Sequence, residues 1–278
     1  MRALGVIRER WTTRGHQRVD VESFRIDQRQ RFDRLGLRYD DARQRSIAIR
    51  ALVAPSRTDS RSSEHYELFA ALLADGSPKQ ILEIGTDTGM FTEFLSLLAP
   101  AASIVTIDLD PRDPRYRNAT SSALSTQEGP SETVLFGEAR DERLNKCPNV
   151  RQITMDSLGL VAVAAEQPSS FDIVWVDGDH HYPTVAVDIA AALQLCRPSG
   201  VVVVDDVLPD PRGTSDWVGS EASDTIQKLV RAGLCRADFI HKRLKAKHLV
   251  RTSRRRFIAV LQPQLGLGLL SSKVNQER

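Results

Sequence analysis

Cysteine is scarce in this chain, with three in 278 residues, and Cys147, Cys196 and Cys235 show no C-x-x-C spacing. Neither a disulfide framework nor a structural zinc site is expected. Nowhere does an apolar run approach the ~18 residues of a membrane span. The opening MRALGVIRERW also lacks the apolar stretch of a secretory signal. These absences lead us to expect a cytoplasmic protein without a membrane partner. Aromatic residues make up only 6% of the chain. No set of them interleaves its most basic stretch, KRLKAKHLVRTSRRR, where a single-strand nucleic-acid platform would need stacking surfaces. Nucleic acid is therefore not the expected partner, although the basic ends leave it open.

A hydrophobic content of 41% suffices for a sizeable core. The net charge of +2 conceals an asymmetry: 1–57 holds 14 Arg against 7 acids, 58–241 holds 14 basic and 28 acidic residues, and 242–256 holds 8 basic and none acidic. The basic ends can pair with the acidic body, with a second subunit or with a phosphate-rich partner. Val21 to Val53 reads as one or two helices before Pro55, followed by a polar linker, Ser56 to Ser63, and a helix from about Glu64 to Ala74.

The strongest local pattern is QILEIGTDTG, Gln80 to Gly89. An apolar run ends in Glu83 and breaks into a turn bracketed by Gly85 and Gly89, ahead of an amphipathic segment from Met90. This reads as strand, nucleotide-cradling loop and helix start, because glycine lets a backbone turn sharply and approach a ligand while helix amides point at it. A second strand, Ser103 to Ile107, ends in Asp108, where an acid meets ribose hydroxyls in this class of fold.

Here the chain resembles the class I S-adenosylmethionine-dependent methyltransferases, whose first motif runs acid-x-Gly-x-x-x-Gly, as Glu83 to Gly89 does. The resemblance spans roughly Ser63 to Pro263. It implies an α/β, Rossmann-like seven-stranded sheet with an N-terminal helical extension. It further implies that Glu83 and the loop of Gly85, Thr86, Asp87 and Gly89 hold the amino-acid end of S-adenosylmethionine, Asp108 the ribose and Asp156 the adenine edge. Asp156 follows a weaker strand, Val150 to Thr154, and capping the next helix is its alternative role.

FDIVWVDGDHHYP (Phe171 to Pro183) is a buried-type strand running into Asp177, Asp179, His180 and His181, and VVVVDDV (Val201 to Val207) runs into Asp205 and Asp206. Neighbouring parallel strands place their C-terminal ends on one edge, so these carboxylates converge and call for a compensating cation. Oxygen ligands favour Mg2+ over zinc. The arrangement is similar to that of the divalent-cation-dependent O-methyltransferases of the catechol and macrolide-sugar types. That resemblance implies Asp177, Asp205 and Asp206 as metal ligands, with Asp177 also facing the cofactor, and His180 as the base that takes a hydroxyl proton. Asp179 is the alternative ligand, and strand-end acids that merely cap loops are the metal-free alternative. The expected reaction is methyl transfer to a small-molecule hydroxyl, of a sugar or secondary metabolite.

The expected organisation is a basic helical extension over 1–60, the methyltransferase domain over 61–263 and a flexible tail over 264–278. Within the domain, 111–148 is 38 residues rich in Ser, Pro and Gly, and reads as an insertion or lid anchored by Leu135 and Phe136. Pro183 to Arg197 reads as an Ala-rich helix, Thr225 to Ala232 as another, and Trp217 as a stacking wall on the loop after Asp206. Arg236 to His241 and Phe257 to Leu261 complete the sheet as an antiparallel pair. An oligomer formed through the N-terminal extension is expected on the same resemblance.

Overall fold

A computed structural model describes residues 20–53, 63–115, 130–208, 220–245, 249 and 255–264. Its sheet has seven strands: β1 (Gln80–Ile84), β2 (Ser103–Asp108), β3 (Val150–Thr154), β4 (Phe171–Val176), β5 (Cys196–Val207), β6 (Cys235–His241) and β7 (Phe257–Pro263). They lie in the order β3-β2-β1-β4-β5-β7-β6. The first five are parallel, whereas β7 runs antiparallel to both β5 and β6. Strand order reverses at β1, between β2 and β4, and the crevice beyond the C-terminal ends of such strands is where open α/β sheets bind ligands.

The central strands are continuous apolar runs because both sheet faces are covered. Alternation along them splits the core in two. Leu82, Val174, Val202 and Val204 pack under α6 (Leu160–Glu166), α7 (Thr184–Leu195) and α8 (Ser220–Arg231). Ile81, Trp175, Val203 and Ile258 face the other layer, built from α1 (Val21–Arg34), α2 (Tyr39–Val53), α3 (His65–Leu72) and α4 (Met90–Leu98). No helix among the described residues is long and apolar enough to cross a membrane.

The described part of the N-terminal extension is two helices, and it shares this second core through Phe32, Tyr39 and Ala42. Its polar contacts are equally committed to the chain. Gln28 brackets the end of β6, donating to the His241 carbonyl at 3.1 Å and accepting from the His241 amide at 2.9 Å. Arg45 donates to the last carbonyls of two helices, those of Leu73 at 2.8 Å and Leu98 at 2.7 Å. The Tyr39 hydroxyl donates to Glu64 at 2.7 Å and Ser46 to Glu67 at 2.8 Å.

Burial, and then the neighbouring Glu67, push Glu64 up to about 8. Its folded value lies above its unfolded one, so the folded protein holds an extra proton. The associated stability is present at acid pH and lost as pH rises toward 8, at up to about 1.4 kcal/mol per pH unit. The thermal midpoint is therefore expected to fall between pH 5 and 8, and Glu64→Gln should flatten that fall. An unchanged pH slope in the variant would show that Glu64 is ionised in the folded state.

Three expectations are modified. The 111–148 segment is not wholly an insertion, since α5 (Pro130–Leu144) packs on α4 as the crossover helix between β2 and β3. The Ala-rich helix ends at Leu195, and Cys196 opens β5 instead of closing the helix. Helix α8 begins at Ser220, one turn earlier than its sequence pattern suggests. The side chains of Leu135 and Phe136, Trp217, the linker 56–62 and the tail lie outside the described residues.

Candidate active site

The glycine loop is clamped between two strands. The Gly85 amide donates to the Ile107 carbonyl and the Asp177 amide to the Ile84 carbonyl, both at 2.9 Å. Gly85 has φ +98°, and a Cβ there would stand 2.4 Å from the Asp177 carbonyl oxygen. Asp87 and Gly89 also take positive φ, so the loop curls tightly into α4. Below it, Glu83 is 1% exposed and accepts from Thr92 and Thr106 at 2.6 Å each. Because Thr106 spends its one hydroxyl proton on Glu83, Thr86 must be the donor in the 2.7 Å Thr86–Thr106 bond. Burial pushes Glu83 up to about 7.

Asp108, expected at the ribose, is bonded to the loop. One carboxylate oxygen accepts from the Thr86 amide at 3.0 Å and the Asp87 amide at 2.9 Å, so it shapes the loop itself. Arg140 of α5, 2% exposed, lies 4.0 Å from the same oxygen. Sequence reading passed over Arg140 because it sits in the stretch taken for an insertion. Asp156, expected at the adenine edge, caps the short helix after β3 by accepting from the Leu158 amide at 3.0 Å, and it pairs with Arg115 at 2.6 Å. That is the capping alternative, with an arginine added.

A cleft of about 350 Å3 runs from this loop past the ends of β4 and β5. Glu83, Gly85, Thr86, Asp87 and Asp177 line one part of it, and Asp205, Asp206 and Lys242 another. Adjacent residues of a strand normally point to opposite faces. Here β5 slips register against β7 between Val204 and Val207, and Asp206 adopts φ +53°. This bulge turns both carboxylates toward one point, a known use of such irregularities beside active sites.

At that point stands Lys242, the first residue of the chain's most basic stretch. Its side chain is 7% exposed, and its Nζ bonds to Asp205 Oδ2 and, at 2.8 Å, to Asp206 Oδ1. The backbone holds it there, its carbonyl accepting from Glu64 at 2.8 Å and its amide donating to Arg256 at 2.9 Å. Burial alone would raise Asp205 and lower Lys242. The attraction between them outweighs it, so Asp205 lies below the usual carboxylate range and Lys242 above the usual ammonium range. Loss of hydration and the Asp205 charge push Asp177 upward.

His180 Nε2 stands 3.7 Å from Asp177 and 3.9 Å from Asp206. Asp179 turns away, bonding to the His181 ring at 2.5 Å, so it does not join the cluster.

The residues fit S-adenosylmethionine: a side-chain-free cradle at Gly85, a buried Glu83 for the amino-acid end, and helix amides above. They do not fit Mg2+ as arranged. Among the described residues, no three of His, Cys, Asp or Glu gather as a cation cage. The positive charge that the Asp205–Asp206 pair requires is supplied by Lys242.

The family model described as a methyltransferase domain matches residues 82–207, from β1 to the end of β5. No curated protein matches the chain in sequence. Among solved structures, the O-methyltransferase TomG from Streptomyces achromogenes, involved in tomaymycin synthesis and solved with S-adenosylmethionine, is similar at 21% identity and TM-score 0.52. The match covers 79% of this chain and 89% of that one. An O-methyltransferase from Bacillus cereus in complex with S-adenosylhomocysteine is similar at 17% identity and TM-score 0.50, over 88% of this chain and 100% of its own. Both likenesses carry the fold. The methyltransferase-domain match spans the cradle and both acid-bearing strand ends, on a sheet whose fold these structures share.

Proposed function

We propose that this protein is an S-adenosylmethionine-dependent methyltransferase that acts on a hydroxyl of a small molecule, with His180 as the general base. The observation that carries the reading is the placement of His180 Nε2 beside Asp177 and Asp206, two carboxylates that line the cleft. S-adenosylmethionine, when bound, supplies an electrophilic methyl group on a sulfonium. As the acceptor oxygen forms its new bond to that carbon, the carbon–sulfur bond breaks, its electron pair leaves with the thioether, and the hydroxyl proton passes to His180 Nε2. Two carboxylates then face the imidazolium. Glu83 and the glycine loop fix the cofactor so that attack is in line, and such orientation supplies much of the rate.

No step here runs through Mg2+. Lys242 already occupies the Asp205–Asp206 pair, and its ammonium sets the local charge. Methyl transfer is accordingly expected to proceed unchanged in EDTA.

The reading is tested by presenting methyl-labelled S-adenosylmethionine and a panel of hydroxyl, amine and carboxyl acceptors to the protein. His180→Ala should lower turnover about 100-fold or more, while affinity for S-adenosylhomocysteine stays within error of the wild type. Labelling of amines alone, or full turnover in the variant, would overturn the assignment.

A further inference from the structure

The cleft continues beyond Lys242 to a second end, and the charge there changes sign. Arg243 and Arg50 line it together with Ser63, His65, Tyr66 and Phe91. Arg50 is engaged, 3.5 Å from Glu67 and stacked 4.9 Å from the centre of the Tyr66 ring. Arg243 is not: its Nε is buried without a hydrogen-bond partner, and no carboxylate is paired with it among the described residues.

Two neighbours share this condition. The Ser63 hydroxyl and both ring nitrogens of His65 are buried without hydrogen-bond partners. Burial pushes His65 down to about 3, so it stands as a neutral ring with one donor and one acceptor. All three belong to one place, because the Glu64 amide between Ser63 and His65 donates to the carbonyl of Lys242, the residue before Arg243. Buried polar atoms are almost always satisfied in folded proteins, and a half-buried guanidinium without a counter-ion is costlier still. One cleft end collecting several such groups is the sign of an absent ligand.

We propose that this end is the acceptor subsite and that it takes a ring-bearing hydroxy acid, a claim that rests on the methyl-transfer reading of the same cleft. Arg243 pairs with the carboxylate, Ser63 and His65 bond to its oxygens, and the ring lies against Tyr66 and Phe91. Their own edge-to-face contact, at 5.4 Å between centroids, leaves the wall aromatic. A carboxylate suits the site better than a phosphate. Among the described residues that line this end, only one cation is unspent, Lys242 being bound to two aspartates and Arg50 to Glu67, whereas a phosphate brings about −1.5 to −2 charge.

The test uses the full chain saturated with S-adenosylhomocysteine, titrated calorimetrically with 4-hydroxybenzoate, 4-hydroxybenzamide and phenyl phosphate. The benzoate should bind at least tenfold more tightly than the amide. Arg243→Gln should abolish that preference, and Arg243→Lys should keep part of it, with S-adenosylhomocysteine affinity unchanged in both. Equal binding of acid and amide, a preference surviving Arg243→Gln, or tighter binding of phenyl phosphate would each overturn the proposal. A wild-type protein that fails to bind S-adenosylhomocysteine would instead sink the reading of the cleft, and this inference with it.

Discussion

Lys242→Met is expected to destabilise the protein by roughly 3–5 kcal/mol, the usual cost of removing one partner from a buried ion pair. The penalty arises from what stays behind. Asp205, with a side chain 3% exposed, and Asp206 are aimed at one point by the β5 bulge and would repel each other there. Methionine fills the space without supplying charge. Urea unfolding measures the loss, and adding Asp205→Asn should recover much of it, since the pair interaction is then removed from both sides. Magnesium makes the experiment discriminating. In the wild type a divalent cation must displace an ammonium already bonded to both aspartates, whereas in Lys242→Met the carboxylates are free to take it. Mg2+ should therefore raise the thermal midpoint of the variant more than that of the wild type. The opposite pattern, with a wild type stabilised by Mg2+ through Asp205 and a variant little changed, would restore the divalent-metal reading that the sequence resemblance suggested.

Gly85→Ala is expected to lower affinity for S-adenosylhomocysteine by two orders of magnitude or more, or to abolish it. The new Cβ would lie 2.4 Å from the Asp177 carbonyl oxygen, 2.7 Å from its carbon and 2.9 Å from the Gly178 nitrogen. All three are backbone atoms of the loop after β4, so no side chain can swing aside to relieve the contact. The positive φ adds a strain of about 1–2 kcal/mol for an L-residue. Gly76 supplies the control. It has φ +65°, but a Cβ there would meet nothing within 4 Å, so Gly76→Ala carries the strain without the collision. It should cost about 1 kcal/mol of stability and leave cofactor binding intact. Equal cofactor affinity in Gly85→Ala and wild type would mean that the loop is not the cradle.

Local patterns carried far in this chain. Gln80 to Gly89 folds as strand, turn and helix start because alternating burial and glycine conformation are properties of a few neighbouring residues. The same holds for β4 and β5, whose apolar runs announce strands buried on both faces. Local reading failed where a residue's meaning depends on a distant neighbour. Gly137 looks like a breaker in a polar stretch, yet it sits inside α5, where a Cβ would meet Pro111 Cγ at 2.8 Å. Glycine is there to let helix and loop approach, and Arg140 is carried onto Asp108 as a result.

The sequence by itself determined the sheet, the glycine loop and the identity of the acids at the strand ends, because each is written in contiguous residues. It also required a counter-charge for those acids. Which cation answers was decided by tertiary structure alone. Eight basic residues crowd 242–256, and nothing in their order marks Lys242 as the one turned inward. Only the pairing of β6 with β7 beside β5 places it at the Asp205 carboxylate. The bulge at Asp206 likewise brings two consecutive side chains to one face, where strand alternation would have parted them.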